Sequence, residues 1–471
     1  MSRAAFNCRE PIVFQSSLIQ DCNLLLASGY TARRFLVTNN FHQEVITVQP
    51  DQTQLRQLET QLAAEYQTIL SKKLNLDLTR GKPSSDQLDL SDALDGILKG
   101  NYIAADGTDT RNYGGLDGLP EAKQLGANIM GVDAANVLVG GSSSLTLMFQ
   151  VASAAYSFGL KDSASAWKNE GDVKFLCPVP GYDRHFTICE QLGIKMVTVP
   201  MTSTGPDMDA VEAAIKADKN IKGLWCVPKY SNPTGVVYSD ETIERIAKLG
   251  QIAGANFRVF WDNAYSVHNL IDNPPQLASI LEATRRNGTE DSVIQFASTS
   301  KITQAGAGVA FVAASAANLT GFKKALGAQT IGPDKVNQIR HTRFLPDRAA
   351  LLAHMKKHAE LLNPRFEAVL SALSSAFEGT DFGAWEKPVG GYFVSFDTRK
   401  NCAKETVRLA AEAGVKLTPA GATYPYGKDP EDRNIRIAPS VPTVPEVVEA
   451  MKVFVTCVKL ASVRQALAEK S

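Results

Sequence analysis

The chain of 471 residues is long enough for two or three domain-sized hydrophobic cores. Apolar residues make up 44% and charged residues 21% of it, and 49 basic residues balance 49 acidic ones, as in ordinary globular proteins. The balanced charge gives no sign of a nucleic-acid-binding domain, and no apolar run approaches the roughly 20 residues of a membrane span. We therefore expect neither nucleic-acid nor membrane partners.

The cysteines and histidines give no sign of a disulfide framework or a metal site. The cysteines are seven, an odd number, and they are scattered along the chain without a Cys-x-x-Cys pair. The six histidines are equally dispersed. The first residues include the acidic Glu10 and Asp21 and no uninterrupted apolar segment, which argues against a secretory signal. The sequence predicts a cytoplasmic protein without a bound metal ion.

Regular structure is expected to begin near Asp51. Residues 1–50 have weak periodicity, and we interpret them as an N-terminal extension of unknown role. After Asp51 a stripe of apolar residues with helical spacing predicts a first helix. The stripe consists of Leu55, Leu58, Leu62, Tyr66, Ile69 and Leu70.

From this helix to about residue 315 the chain alternates short apolar segments with segments of helical periodicity. The apolar segments are nearly continuous runs, which is typical of strands covered by helices on both faces of a sheet. The predicted strands are residues 136–141, 173–178, 195–200, 222–228, 257–262, 292–298 and 308–314. The predicted helices between them are residues 142–158, 182–193, 207–217, 239–254 and 276–287. This alternation predicts an α/β fold with a mostly parallel sheet of about seven strands.

The regular alternation of predicted strands and helices ends near Pro346. A long helical stretch at residues 347–377 is followed by short strand-like segments, a helix at 403–413 and a closing helix near 443–467. We expect residues 96–346 to form a large domain. A smaller α+β domain is predicted from residues 51–95 together with 347–471.

Polar and aromatic residues follow the ends of the predicted strands. They are residues 142–144, Tyr182, and residues 232–235, 262–265 and 298–301. In an open parallel sheet, ligands collect at the carboxyl ends of the strands. The sequence therefore predicts one site at this edge of the sheet.

Each of these groups has an ordinary interpretation and a chemical one. Serines after Gly141 at a helix start could cradle an anion, or could simply cap the helix. Asp262 could pair with a protonated heterocycle, or could cap a loop. Lys301 has no acidic residue within nine positions on either side and could serve as a Schiff-base nucleophile, although a lysine taken alone is more often an ordinary surface residue. An anion cradle, a carboxylate, the phenol of Tyr265 and a nucleophilic lysine together predict pyridoxal phosphate (PLP) as cofactor.

From about residue 75 to 450 the chain resembles the fold-type I PLP-dependent aminotransferases of the aspartate aminotransferase superfamily. The motifs Ser-Asn-Pro-Thr-Gly at 231–235, Asp-x-Ala-Tyr at 262–265 and Ser-x-Ser-Lys at 298–301 occur in that family's order. Three sequence segments resemble those of the class Ic aspartate aminotransferases, a branch close to the MocR-like aminotransferase domain. They are TRGKPS, STSKITQAGAGVAF and NIRIAPS. The resemblance implies a homodimer acting on amino acids and 2-oxo acids.

The resemblance also implies how the cofactor is held. Lys301 would carry PLP as an aldimine and move protons during the 1,3-shift, and Asp262 would pair with the protonated ring nitrogen. Tyr265 and Asn232 would hydrogen-bond the phenolic oxygen, and Tyr182 would stack on the ring face. The phosphate would be held by Ser142, Ser143, Ser298 and Ser300, with Tyr113 reaching it from the partner subunit.

Three residues are implied in substrate binding. Arg436 would form a bidentate pair with the substrate α-carboxylate, although a salt bridge at a strand edge would suit the same residue. Gly81 would lie over the substrate, where the backbone must approach closely, and Asn232 would lie beside it.

The chain departs from the family pattern at Gly308. The family usually has an arginine at this place, two residues after the glycine that follows the lysine loop, and that arginine binds the cofactor phosphate. Hydroxyls, backbone N–H groups or another cation must therefore replace it here.

The branch resemblance favours transfer from L-aspartate to 2-oxoglutarate, which gives oxaloacetate and L-glutamate. A dicarboxylic donor needs a second cation for its distal carboxylate. The candidates are Lys335, Arg340, Arg343 and Arg80, each of which could instead be an ordinary surface charge. A PLP-dependent lyase or synthase on the same scaffold and a MocR-like regulator remain as alternatives. A dehydrogenase is not favoured, because Gly306 and Gly308 precede an apolar run rather than opening a helix.

Overall fold

Helices and strands alternate along residues 51–470, the part of the chain that the computed structural model describes. The helices are α1 (Gln52–Ser71), α2 (Ser85–Asp89), α3 (Pro120–Met130), α4 (Ser144–Ser157), α5 (Asp183–Gln191), α6 (Met208–Ala217), α7 (Asp240–Ile252), α8 (Ile280–Asn287), α9 (Ala316–Leu326), α10 (Lys335–Phe344), α11 (Arg348–Phe377), α12 (Ala403–Glu412) and α13 (Val444–Glu469). The extension proposed for residues 1–50 lies outside the described residues.

The strands form three sheets within the described residues. They are β1 (Leu76–Asp77), β2 (Val137–Val139), β3 (Lys174–Val179), β4 (Lys195–Thr202), β5 (Gly205–Pro206), β6 (Ile221–Cys226), β7 (Arg258–Asp262), β8 (Val293–Ser298), β9 (Ala310–Ala314), β10 (Gly383–Trp385), β11 (Val394–Thr398), β12 (Val415–Lys416) and β13 (Asn434–Ile437). The main sheet has eight strands in the order β2-β9-β8-β7-β6-β3-β4-β5.

The main sheet is mostly parallel. Strands β8, β7, β6, β3 and β4 run in one direction, whereas β9 is antiparallel to both of its neighbours and β5 is antiparallel to β4. The predicted α/β fold is confirmed, and each of the seven predicted strands is present. The eighth strand, β5, is a two-residue Gly-Pro segment, which is too short to give an apolar pattern.

Helices cover both faces of this sheet. Alternate residues of β7 show the arrangement, because Val259 and Trp261 pack into one core and Phe260 packs into the other. The first core is completed by residues of α3, α6, α7 and α8, and the second by residues of α4, α5 and α9. Burial on both faces is the reason why the strands read as continuous apolar runs.

A third core joins the two ends of the described chain. Helices α1 and α11 both pack against α13, beside the antiparallel sheet β10-β11-β13 and the parallel pair β1-β12. This core includes Tyr66, Val369 and Phe396, and it reaches Tyr265 beside the end of β7. All the described residues belong to one compact unit, so the predicted bounds of the large and the small domain stay a prediction. Within residues 51–470, no helix is long and apolar enough to cross a membrane.

Candidate active site

The carboxyl ends of the parallel strands surround a cavity of about 110 Å³. Eight of the residues predicted from sequence line it: Ser143, Tyr182, Asn232, Asp262, Tyr265, Ser298, Ser300 and Lys301. Ser144 lines it as well, at the start of α4. The fold therefore brings together side chains from the segments that follow β2, β3, β6, β7 and β8.

Asp262, the last residue of β7, is the most enclosed acid of this cavity. Its side chain is 3% exposed, and its Oδ2 lies 3.0 Å from Nε2 of His185 on α5. The other oxygen, Oδ1, is buried and has no hydrogen-bond partner among the described residues. A buried carboxylate oxygen without a donor is costly, so this atom marks a position for a ligand N–H group.

His185 was not predicted from the sequence. It is 2% exposed, and its ring stacks on Trp225 of β6 with 4.3 Å between ring centroids and an interplanar angle of 9°. The stacking fixes the ring that holds Asp262. A histidine three residues after Tyr182, on the inner face of the predicted helix, was the available signal for it.

Lys301 lines the same cavity as Asp262. Burial lowers the pKa of its amine, the Asp262 carboxylate opposes that effect, and the Arg436 guanidinium adds to it. Its Nζ lies 5.1 Å from the centre of the Tyr265 ring. A lysine with a lowered pKa has a larger fraction of free amine at neutral pH, which is the form that attacks a carbonyl group.

Buried histidines hold the backbone that carries Lys301. Nε2 of His268 lies 3.1 Å from the Lys301 carbonyl oxygen, and Nε2 of His354 lies 2.6 Å from that of Ile302. Burial lowers the pKa of His268 to about 3, so at neutral pH this ring is an uncharged N–H donor. Two buried rings thus fix the backbone of the lysine segment.

A cluster of hydroxyl groups lies at the start of α4. Ser143 is the N-cap of this helix, and its side chain accepts from the Leu145 N–H group. Oγ of Ser298 lies 3.1 Å from Oγ of Ser300, which donates to the Ser142 carbonyl oxygen at 3.0 Å. Ser142 itself is exposed and does not line the cavity. Hydroxyls at a helix N-terminus suit an anion such as a phosphate group.

Gly308 packs directly against this cluster. A Cβ atom at this position would lie 2.9 Å from the Ser142 carbonyl oxygen and 3.2 Å from the Ser300 backbone nitrogen. The backbone here therefore has no room for the arginine that the family usually has.

Arg436 on β13 is buried, and one edge of its guanidinium is free. Nη1 donates to Oδ1 of Asp183 at 3.0 Å and to Oδ1 of Asn232 at 3.2 Å. Nε is buried and without a partner among the described residues, and the guanidinium lies 4.9 Å from the centre of the Phe393 ring. The predicted salt bridge and the predicted carboxylate site can therefore coexist, because Nε and Nη2 remain to bind a carboxylate.

Gly81 lies over the same aromatic ring. A Cβ atom at this position would lie 2.5 Å from Cζ of Phe393, so a side chain here would displace the ring that packs on Arg436. The neighbouring Arg80 is exposed. The backbone at Gly81 thus packs closely on the ring beside Arg436, and its position over the substrate stays a prediction.

The three cations of α10 are engaged elsewhere. Nζ of Lys335 donates to the Gly114 carbonyl oxygen at 2.6 Å, and Arg340 donates to that of Leu94 at 3.2 Å. Arg343 donates to the carbonyl oxygen of Asn101 at 2.7 Å. These bonds tie α10 to the segment that precedes α3.

Tyr113 is an exposed residue outside the cavity of its own chain. Its side chain is 82% exposed, and it does not line the cavity. It lies beside Gly114, which Lys335 holds. An exposed tyrosine on a tethered loop is available to another molecule.

Known proteins resemble this chain in sequence and in fold. The chain is 47% identical over 399 residues to an aspartate aminotransferase of Corynebacterium glutamicum, covering 84% of this chain and 92% of that protein. The solved structure of an aspartate transaminase from the same organism superposes with a TM-score of 0.85 at 45% identity, over 88% of this chain and 97% of that one.

A more distant structure shares the fold. LysN of Thermus thermophilus, an alpha-aminoadipate aminotransferase complexed with N-(5'-phosphopyridoxyl)-L-leucine, superposes with a TM-score of 0.67 at 21% identity, over 86% of this chain and 96% of that one. The architecture is that of the fold-type I enzymes. Within that class the chain belongs to the aspartate amino-transferase family, whose model matches residues 50–470. The protein is an aminotransferase, as predicted, whereas its place in the MocR-like branch stays a prediction.

We expect Gly308→Ala to weaken PLP binding roughly tenfold to a hundredfold, since overpacking typically costs about 1–3 kcal/mol and each ~1.4 kcal/mol is tenfold. The added Cβ would push apart Ser142 and Ser300. Gly306→Ala is the matched control, because a Cβ there meets nothing within 4 Å. The dissociation constant of PLP, measured by equilibrium titration of the apoenzyme, should change less than threefold or so in the control. Equal affinities in the two variants would contradict the packing argument.

Proposed function

We propose that this aminotransferase exchanges amino groups between L-aspartate and 2-oxoglutarate, using PLP bonded to Lys301. The observation that carries the proposal is the free, buried Oδ1 of Asp262 in one cavity with Lys301. Arg436 adjoins this cavity through its hydrogen bond to Asn232, which lines it. The 47% identity to an aspartate aminotransferase supports the choice of reaction and amino donor.

The residues of the cavity fit the parts of PLP one by one. Oδ1 of Asp262 would accept a hydrogen bond from the ring nitrogen, and the charge of Asp262 would keep that nitrogen protonated. PLP, when bound, supplies a protonated ring that accepts the electron pair released at the substrate Cα. Asn232 and Tyr265 would donate to the phenolic oxygen, and Tyr182 would cover one ring face.

The phosphate end would lie at the start of α4. Ser143, Ser298 and Ser300 would bind it with their hydroxyl groups, and the α4 N-terminus would add the attraction of its dipole. Ser142 would contribute through its backbone, because its carbonyl oxygen positions Ser300. We propose that Tyr113 binds the phosphate of a second subunit in a homodimer, a role that its 82% exposure permits.

Lys301 would also move the substrate protons. Its amine has a pKa lowered by burial, so it can take a proton from the substrate Cα near neutral pH and return it. The Asp262 carboxylate raises the pKa of this amine and so limits the lowering that burial and Arg436 cause. The histidines behind the Lys301 backbone would keep the amine aimed at the same point through both proton transfers.

The α-carboxylate of the substrate would bind to Nε and Nη2 of Arg436. Asp183 and Asn232 hold Nη1 and so orient the guanidinium before the substrate arrives. Gly81 would lie over the bound substrate. Among the four cations predicted for the distal carboxylate, we favour Arg80, because the other three donate to main-chain carbonyls.

We also propose a cytoplasmic location. The five cysteines of the described residues are all free and buried, which fits a reducing compartment.

The lysine assignment predicts a coloured protein with one labelled peptide. Borohydride reduction of the PLP-loaded enzyme should fix the cofactor on the peptide that contains Lys301, and the fixed cofactor should abolish activity. Mass spectrometry of the digested protein measures this, and the remaining lysines serve as internal controls. A protein that gains no visible absorbance with PLP, or a label on another lysine, would contradict the assignment of Lys301 as the PLP-binding lysine.

The donor assignment predicts that Arg80→Gln raises KM for L-aspartate about tenfold or more, which corresponds to ~1.4 kcal/mol of lost binding. KM for L-alanine, which has no distal carboxylate, should stay nearly unchanged. Lys82→Gln removes an exposed charge two residues away and is the matched control. If the unmutated enzyme prefers an alanine or aromatic donor to L-aspartate, the substrate assignment is wrong and the aminotransferase assignment stands.

A further inference from the structure

A second cavity, of about 100 Å³, lies next to the active-site segments. Its walls are the residues after β6 and β7, the end of α3, and the starts of α8 and α11. The polar groups that line it include Lys229, Asn263, Ser266, Gln295 and Arg348. The active-site cavity shares none of these residues.

Two cations meet in this cavity without an acid. Lys229 is 7% exposed, and its one hydrogen bond is to the Ser266 carbonyl oxygen at 3.0 Å. Arg348 bonds the Asn128 carbonyl oxygen at 2.6 Å. Among the described residues no Asp or Glu lines the cavity, and neither cation has a carboxylate within 4.0 Å. Lys229 is the buried one of the two, whereas Arg348 is exposed. A buried charge in a folded protein is normally paired, so the missing partner of Lys229 is an anion.

The placement of Arg348 strengthens this point. It is the first residue of α11, where the helix dipole is positive and a cation is unfavourable. The N-terminus of α8 adds a second positive end, because Ser279 and Ile280 also line the cavity. Two helix starts and two cations therefore converge on one small space.

Asn263 supplies an independent sign of a ligand. It is 4% exposed, and Oδ1 of its amide is buried without a partner among the described residues. Its Nδ2 forms no hydrogen bond to the described chain either. The buried Oδ1 is an acceptor and would not bind an anion, whereas the unpaired Nδ2 is free to donate to an oxyanion in the cavity that Asn263 lines.

We propose that this cavity binds one small oxyanion, a carboxylate or a sulfate- or phosphate-sized group, between Lys229, Arg348 and Asn263. The volume equals about three water molecules at ~30 Å³ each, which is enough for a small oxyanion. The ring of Tyr230, 5.3 Å from Nζ of Lys229, gives only a weak attraction in place of a counter-ion.

The bound anion would connect two segments of the active site. Lys229 precedes Asn232 by three residues, and Asn263 and Ser266 directly follow Asp262 and Tyr265. Binding would hold the chain after β6 against the chain after β7 from the side opposite the substrate. The inference does not depend on which amino acid the enzyme uses.

The test is sulfate binding to the PLP-loaded enzyme, measured by isothermal titration calorimetry at an ionic strength held constant with sodium chloride. Lys229→Met keeps the volume and removes the charge, and it should fold as well as wild type because an unpaired buried charge is lost. Arg348→Gln tests the second cation. Lys356→Gln removes an exposed charge elsewhere on α11 and is the matched control.

We expect the wild type and the control to bind one more sulfate than Lys229→Met, and Arg348→Gln to bind it at least several-fold more weakly. Arg436 is present in every variant, so sulfate bound there cancels in the comparison. Acetate and inorganic phosphate, titrated in the same way, show which oxyanion the site prefers. Equal stoichiometry and affinity in the wild type and Lys229→Met would overturn the proposal.

The pH dependence gives a second readout. Burial and the nearby Arg348 lower the pKa of Lys229 to about 8, and His268, the other titratable neighbour, stays neutral with its pKa near 3. Lys229 is therefore charged below about pH 8 and neutral above it. Sulfate keeps a constant charge, so affinity at this site should fall up to about tenfold per pH unit above pH 8. A pH-independent affinity would overturn the assignment to Lys229.

Discussion

The contact between Asp262 and His185 is the interaction on which the candidate active site depends. It holds one carboxylate oxygen at 3.0 Å and leaves the other buried and free. A carboxylate in such a place loses much of its hydration, and one hydrogen bond restores only part of it. The fold tolerates the cost because β7 is packed on both faces and His185 is stacked on Trp225. A cofactor N–H group would supply the missing donor.

The rest of the cavity is arranged around that fixed acid. Lys301 lies within reach of its charge, and Arg436 is oriented by Asp183 and Asn232 before any carboxylate binds. Rigid backbone supports each of them, through buried histidines in one case and a strand of the smaller antiparallel sheet in the other. Because these groups are ordered before the substrate binds, little of the binding free energy is spent on ordering the protein, and more of it can stabilise the transition state.

Much of this could be predicted from sequence, for identifiable reasons. The strands are buried on both faces and therefore appear as apolar runs, and the site residues follow strands that end at one edge. Helix α10 was missed because its sequence, KVNQIRHTRF, has few apolar residues. His185 and Asp183 were missed because their partners, Asp262 and Arg436, are far away in the chain. The close contact of Gly308 with Ser142 could not be predicted either, because the two residues are far apart in the chain.

The most direct test of the role of Asp262 is the ¹⁵N chemical shift of PLP labelled at the ring nitrogen and bound to the enzyme. We expect the shift of a protonated pyridinium in the wild type at neutral pH, and that of a neutral pyridine in Asp262→Asn. The buried carboxylate is the group that favours the proton on the ring. A neutral-pyridine shift in the wild-type enzyme at neutral pH would contradict the central claim.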